Sequence, residues 1–249
     1  MPGRARGAAG WGAAGAAGAA GFGIAAAGVA AGGGAPGEVD AGVHAAVAAS
    51  LPPEFVLGPV PHFLSDAPIA GCLAGSLGAA VAALIRGGAG APRVRSEVLA
   101  CGLTAAIVGP PGGALSEVLK ALFHRTRPSE LHSSFSFPSG HSLAAAFWAG
   151  TFFCVLLPLA LGERDSNAGP AEVAAEEAPH PAEWQMAAWA ATVMAVGSGR
   201  LLMDVHWVSD VVGGASLGMS LVALEVAVGR SLAQALAQGN NAPDDSEGP

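Results

Sequence analysis

The sequence has no tyrosine, few charged residues and only three cysteines, and each shortage argues against a class of protein. Charged residues make up 12% of the 249 positions, well below the share that soluble domains carry. The Lys and Arg residues form no basic patch with interleaved aromatic rings, which argues against a nucleic-acid partner. Cys72, Cys101 and Cys154 are widely spaced within apolar runs, so we expect buried free thiols rather than disulfides or a metal site.

Long apolar runs are abundant instead, and the mean hydropathy is +0.49. A helix of about 20 apolar residues spans a hydrocarbon core of about 30 Å. These runs lack the polar face that a helix of a soluble protein shows. The sequence therefore predicts an all-α integral membrane bundle of five to six transmembrane helices. Five of these spans are predicted at 67–85, 98–119, 143–161, 184–196 and 207–228.

The sixth span depends on the N-terminal region, which is rich in Gly and Ala. Residues 1–36 fit a targeting segment, a marginal transmembrane helix or a disordered leader, and composition leaves these alternatives open. Residues 37–66 contain several prolines and are predicted to be a loop with a short interfacial helix. The membrane domain is predicted to cover 67–230, and 231–249 form a polar, acidic tail.

Cations and histidines are concentrated between the second and third predicted spans, in residues 120–142. Lys120 and Arg127 are seven residues apart, so they would share one face of a continuous helix. Pro128 would end that helix. Glu117 is expected to pair with Lys120 one turn away.

Residues 138–141 read Pro-Ser-Gly-His and directly precede an apolar run. This order predicts a helix start, with Ser139 near the N-cap and free backbone amides at Gly140 and His141. A helix start with free amides, next to cations and a histidine, suits an anionic phosphoryl group.

A second polar segment lies between the last two predicted spans. His206 and Asp210 are four residues apart at the start of a helix, where the carboxylate can fix the tautomer of the imidazole and leave its other nitrogen free to attack. Arg200 adds a planar guanidinium suited to phosphate. Two spans separate this segment from 120–142, so both are expected on the same side of the membrane.

The three fragments, Lys-x6-Arg-Pro, Pro-Ser-Gly-His and Arg-x5-His-x3-Asp, resemble the signature of the type 2 phosphatidic acid phosphatase/haloperoxidase superfamily. The resemblance covers about residues 67–230. It departs at Gly199, where the family usually has Ser before the Arg, and this places one phosphate-oxygen contact in question.

The resemblance implies a role for each matching residue. His206 would be the nucleophile that forms a phosphohistidine, Asp210 would orient it, and His141 would protonate the leaving oxygen and then help to activate water. No metal and no cofactor are implied. The residues that would hold the phosphoryl oxygens are Lys120, Arg127, Ser139, Gly140 and Arg200.

The expected function is hydrolysis of a lipid phosphate monoester such as phosphatidate. An isoprenoid diphosphate or a soluble sugar phosphate as substrate, vanadate-dependent haloperoxidase chemistry and non-catalytic lipid binding stay open. Neither the oligomeric state nor the membrane, plastid or endomembrane, follows from the sequence.

Several residues outside the motifs also receive an expected place. Arg125 is expected to assist an anionic headgroup, Asp204 to form a local cap or salt bridge, and His44 to be incidental. Outside the motifs, Arg125 alone would lie on the side of the site, so the positive-inside rule predicts a site on the non-cytosolic face. The cations expected on the opposite side are Arg86, Arg93, Arg95, Arg164 and Arg230.

Overall fold

A computed structural model of the chain describes residues 7–87, 91–109, 113–130, 132–163 and 181–240. Within these ranges every regular element is helical, as the sequence predicts. The elements are α1 (Gly7–Ala31), α2 (Glu38–Ser50), α3 (Pro53–Val56), α4 (Pro59–Gly87), α5 (Pro92–Val108), α6 (Ala114–Phe123), α7 (Gly140–Gly150), a π-helical turn (Thr151–Leu156), α8 (Leu157–Leu161), α9 (Glu183–Leu202) and α10 (Val208–Asn240).

Four segments of the described chain are long and apolar enough to cross a membrane, which makes this an integral membrane protein. They are Trp11–Ala31, Pro53–Gly87, Gly140–Leu161 and Val208–Leu236. The predicted spans at 98–119 and 184–196 correspond to the α5–α6 pair and to α9, which pack within the same bundle but are less apolar.

The packing contacts give the direction of each pass. Helices α7 and α10 run parallel, because Gly218 faces Leu143 and Gly150 faces Val222 further along both helices. Helix α9 runs antiparallel to α7, and the Trp189 indole donates to the Ala146 carbonyl between them. As a result, α4, α7 and α10 all begin at the end of the bundle where α6 and α9 finish.

Helices α7 and α10 approach closely through Gly214 and Gly218, whose spacing of four residues is typical of close-packed membrane helices. A Cβ on Gly218 would lie 2.5 Å from the Leu143 carbonyl oxygen, and one on Gly214 would clash with the Ser139 carbonyl. Lipid tails are as apolar as the helix surfaces, so close packing of this kind, rather than the hydrophobic effect, holds membrane helices together.

Helix α1 belongs to the bundle, which overturns the disordered-leader alternative. It packs antiparallel along α10 through glycines spaced three residues apart. A Cβ added to Gly15, Gly18 or Gly21 would lie 2.8, 2.6 or 2.7 Å, respectively, from the nearest atom of α10. Because these glycines carry no side chain, the backbone of α1 can pack directly against α10.

The loops differ from the sequence prediction in two respects. Residues 37–66, predicted to be a loop with a short interfacial helix, form α2, α3 and the start of α4. The second difference is the length of α6. Helix α6 ends at Phe123, where His124 adopts a left-handed conformation with φ of 49°. The prediction of one continuous helix carrying Lys120 and Arg127 is therefore wrong. Arg127 reaches the site from a loop, and the helix ends well before Pro128.

Candidate active site

The two polar segments meet at one end of the bundle, on the same side, as the sequence predicts. Arg127 Nη1 donates to the carbonyl of Val205 at 2.7 Å. The backbone N–H of Ser139 donates to the carbonyl of Asp210 at 3.0 Å. The start of α7 is thereby fixed against the start of α10.

His206 lies two residues before α10 and is 4% exposed. Its Nδ1 is 3.4 Å from Asp210 Oδ2, which also accepts the backbone N–H of Trp207 at 2.9 Å. Its Nε2 is 3.3 Å from Nη1 of Arg127. With Nδ1 directed at a carboxylate, Nε2 is the nitrogen available for nucleophilic attack.

The surroundings keep this imidazole neutral. Burial lowers the pKa of His206 to about 3; the positive charges of Arg127 and Arg200 act in the same direction and Asp210 opposes them. Because a protonated imidazole has no lone pair at Nε2, the neutral form is the one that can attack phosphorus.

His141 is the second residue of α7, and its Nε2 lies 3.2 Å from Asp66 Oδ1 of α4. Ser139 caps the helix as predicted, accepting the backbone N–H of Ser142 at 3.4 Å. The helix begins at Gly140, and the first amides of a helix have no intrahelical acceptor.

Asp66 was not among the predicted site residues. It lies in a stretch interpreted as a loop and has no fixed spacing to the motifs. One signal could have found it, because a lone acid at the start of an apolar run is a functional candidate in a membrane protein.

The three cations of the predicted site converge on the histidines. Lys120 is 8% exposed and forms the expected pair with Glu117, Nζ to Oε1 at 2.7 Å. Lys120 and Arg200 both act electrostatically on His141, and Arg200 also acts on His206.

Two guanidinium groups are held differently. Arg127 Nε donates to the backbone and hydroxyl oxygens of Ser134, each at 3.1 Å. In the part of the chain that the structure describes, Arg200 Nε is buried without a hydrogen-bond partner, and its Nη1 lies 3.7 Å from Met203 Sδ. Arg200 therefore keeps donors for an anionic ligand.

Comparison with known proteins identifies the family. The model of the PAP2 superfamily matches residues 98–231. The chain belongs to the PAP2 superfamily. The chain is also similar to the crystal structure of the first transmembrane PAP2-type phosphatidylglycerolphosphate phosphatase from Bacillus subtilis, with 22% identity and a TM-score of 0.47 over 88% of this chain and 92% of the other. No curated protein matches.

The departure of this PAP2 chain from the family's Ser-Arg pattern has a packing cause. Gly199 is buried against α4, where a Cβ would lie 2.6 Å from Ser65 Oγ and 2.8 Å from the Pro61 carbonyl oxygen. A serine side chain has no room there. Ser65 occupies the space instead and donates to Met203 Sδ at 3.6 Å.

Two interpretations of residues outside the PAP2 motifs are wrong. Arg125 is 1% exposed and forms ion pairs with Asp40 and Asp210, so it is not placed to contact a headgroup. His44 is not incidental, since its Nδ1 lies 2.7 Å from Oδ1 of Asp204, which thereby forms the expected salt bridge with a residue far away in the chain. Contacts between residues so far apart in the chain leave no recognisable pattern in a single sequence.

Proposed function

We propose that the protein is a membrane-bound phosphatase that hydrolyses a lipid phosphate monoester through a phosphohistidine on His206. The observation that carries the proposal is the position of a buried, neutral His206 between Asp210, which faces Nδ1 at 3.4 Å, and Arg127, whose Nη1 faces Nε2 at 3.3 Å. Membership in the PAP2 superfamily supports a phosphatase.

In the first step, Nε2 of His206 attacks the phosphorus. The bond from phosphorus to the ester oxygen breaks, and its electron pair stays on that oxygen, which takes a proton from His141. The products are an alcohol and phosphohistidine. The guanidinium groups of Arg127 and Arg200 stabilise the charge that gathers on the phosphoryl oxygens.

In the second step, His141 removes a proton from water as the water oxygen attacks phosphorus. The bond between phosphorus and Nε2 breaks, and the electron pair returns to His206. Inorganic phosphate leaves and both histidines regain their initial states. Asp210 holds the imidazole in one orientation throughout both steps.

A lipid substrate is supported by the position of the site. The reacting groups lie where α4, α7 and α10 begin, and three of the four apolar spans start there. A lipid anchored in the bilayer would present its phosphate at this depth, close to the water interface.

Asp66 favours a monoester over an isoprenoid diphosphate. Its carboxylate touches His141 Nε2, on the side where the leaving oxygen must receive its proton. An alcohol leaves as a neutral group, whereas a diphosphate ester loses a phosphorylated leaving group that carries negative charge. Asp66 would repel that anion, although the 62% exposure of its side chain weakens the effect by solvent screening.

The decisive experiment is phosphate release by detergent-purified protein in EDTA, from phosphatidate and from a polyprenyl diphosphate, with His206→Ala as the inactive control. We expect release from phosphatidate that persists in EDTA and disappears in the control. Folded wild-type protein that releases phosphate from neither lipid would overturn the proposed function in favour of a non-catalytic role.

Asp66→Asn tests the substrate preference in the same assay. We expect the ratio of diphosphate to monoester kcat/KM to rise several-fold, because the substitution removes the repelling charge and keeps the shape. An unchanged ratio, or a wild-type preference for the diphosphate, would count against the assignment of a monoester substrate.

We also propose that the site faces away from the cytosol. With Arg125 buried in ion pairs, no Lys or Arg outside the motifs remains exposed at the site end of the described chain. A single cysteine at the exposed position Ser133, in a chain without its native cysteines, tests the orientation. Labelling by an impermeant thiol reagent from the cytosolic side would contradict the proposal.

A further inference from the structure

A second set of buried charges contacts Asp210, the carboxylate that faces the proposed nucleophile His206. Arg125, in the loop after α6, is 1% exposed although it is an ionised side chain. Its Nη1 donates to Asp210 Oδ1 at 2.6 Å, and its Nη2 donates to Asp40 Oδ2 at 2.6 Å. Asp40 lies in the first turn of α2 and is 6% exposed.

Ser209 forms hydrogen bonds with both Asp40 and Arg125. Its backbone N–H donates to Asp40 Oδ1 at 2.9 Å, its hydroxyl donates to Asp40 Oδ2 at 2.6 Å, and Arg125 Nη1 donates to that hydroxyl at 2.6 Å. Burial raises the pKa of Asp40, but the hydrogen bonds from Ser209 and the charge of Arg125 outweigh it, so the pKa lies below its usual value. Asp40 is therefore ionised.

The two oxygens of Asp210 have separate partners. Oδ2 faces His206 Nδ1 and the Trp207 amide, and Oδ1 receives Arg125. Without Arg125, nothing described would hold Oδ1, and the carboxylate could rotate away from the imidazole. Arg125 in turn needs Asp40, because a single carboxylate would leave its second donor pair unsatisfied in a buried site.

We propose that Arg125 and Asp40 are positioning residues for the nucleophile, a role that rests on the proposed function of His206. Arg125 fixes the carboxylate of Asp210, and Asp40 fixes Arg125. Neither residue contacts the substrate. Helix α2 thus becomes part of the active site, although it lies outside the residues that match the PAP2 model.

The test compares Asp40→Asn and Arg125→Lys with wild type on phosphatidate, measuring kcat and KM separately. A small misplacement of a reacting group costs up to about 100-fold in rate. We expect kcat to fall by about 10- to 100-fold, and KM to change by less than about twofold because the phosphate contacts remain. Asp204→Asn is the matched control, since it breaks another pair with α2, that of Asp204 with His44, in which neither residue is hydrogen-bonded to Asp210 in the described chain.

The link through Asp210 is tested by repeating both substitutions in an Asp210→Asn background. If Asp40 and Arg125 act through that carboxylate, their effects on kcat disappear when it is already neutral. Effects that remain additive to Asp210→Asn would overturn the proposal. A rise in KM at unchanged kcat would also overturn it and would place Arg125 in substrate binding.

Folding is checked by size-exclusion chromatography and by the fraction of protein that forms phosphoenzyme. A lower active fraction with unchanged kcat per active site, or failure of both variants to fold, would make the network structural only and overturn the proposal. If wild type released no phosphate, the proposed function alone would fail. The same variants would then be compared by vanadate affinity, which needs the oriented His206: weaker binding in both would sustain the proposal, and unchanged binding would overturn it.

Discussion

The two histidines of the proposed mechanism lie in opposite environments. His206 is 4% exposed, and its carboxylate partner Asp210 is fully buried and bound to Arg125. His141 is only partly buried, and its carboxylate partner Asp66 keeps 62% of its side chain exposed. One carboxylate is fixed by several donors, and the other can exchange its contact with water.

The difference follows from what each histidine must do. A nucleophile has to meet phosphorus in one geometry, so rigid support from buried groups helps it. A general acid has to reach a leaving oxygen that arrives with the substrate and departs with the product. We therefore expect changes around His206 to affect every substrate equally and changes around His141 to depend on the leaving group.

The largest effect is expected at the buried carboxylate. Asp210→Asn should lower kcat for phosphatidate by about 10³- to 10⁴-fold, because the amide no longer fixes the reactive tautomer of His206. Initial rates of phosphate release measure it. Asp66→Asn, on the exposed side, should lower the same rate by less than about tenfold. Equal losses in the two variants would contradict the contrast between the histidines.

His141→Ala should show the dependence on the leaving group. With phosphatidate, whose alcohol is a poor leaving group, we expect kcat to fall by about 10²- to 10⁴-fold. With an aryl phosphate, whose phenolate leaves without a proton, the loss should be at least tenfold smaller. The measurement is the ratio of the two rates in variant and wild type. A loss of the same size on both esters would remove His141 from the role of general acid.

Gly199→Ser tests whether the close packing of α9 against α4 tolerates the family's usual residue. We expect the free energy of unfolding to fall by about 1–3 kcal/mol, because the new side chain would overlap Ser65 and the Pro61 carbonyl of α4. Thermal denaturation in detergent measures the change. Gly78→Ser is the matched control, since nothing lies within 4 Å of a Cβ built there. An equally stable Gly199→Ser protein would show that α4 can move aside.

The smallest effect concerns protonation. With a pKa lowered to about 3 by burial, His206 should remain neutral as the pH falls through 6.5, where an ordinary histidine takes up a proton. Nitrogen chemical shifts of labelled histidine measure this, with His206→Asn identifying the signal. A shift that titrates near pH 6.5 would show that water reaches the imidazole.

The sequence predicts those parts of the site whose partners are near each other in the chain. The Ser139 cap, the pair of Lys120 with Glu117 and the glycines of α10 each have a spacing that reveals them. One local error, the length of α6, arises because nothing in the composition marks His124 as left-handed.

Partners from distant segments could not be predicted. Asp40 and Arg125 are separated by 85 residues, and no periodicity connects them. Asp66 meets His141 only because α4 and α7 run parallel from the same end of the bundle. The sequence left the structure of residues 1–36 undecided for another reason. Gly and Ala form no hydrophobic pattern, and the position of α1 depends on its packing against α10.

The pairing of α1 with α10 has a consequence for how the chain is made. The Ser220 hydroxyl donates to the Gly15 carbonyl across 205 residues, so α1 packs against a helix that is translated long after it. Until α10 has been translated, the glycine face of α1 lacks the helix that it packs against. The contact between α1 and α10 can form only after α10 has been translated, so a chain interrupted before that point exposes the glycine face of α1.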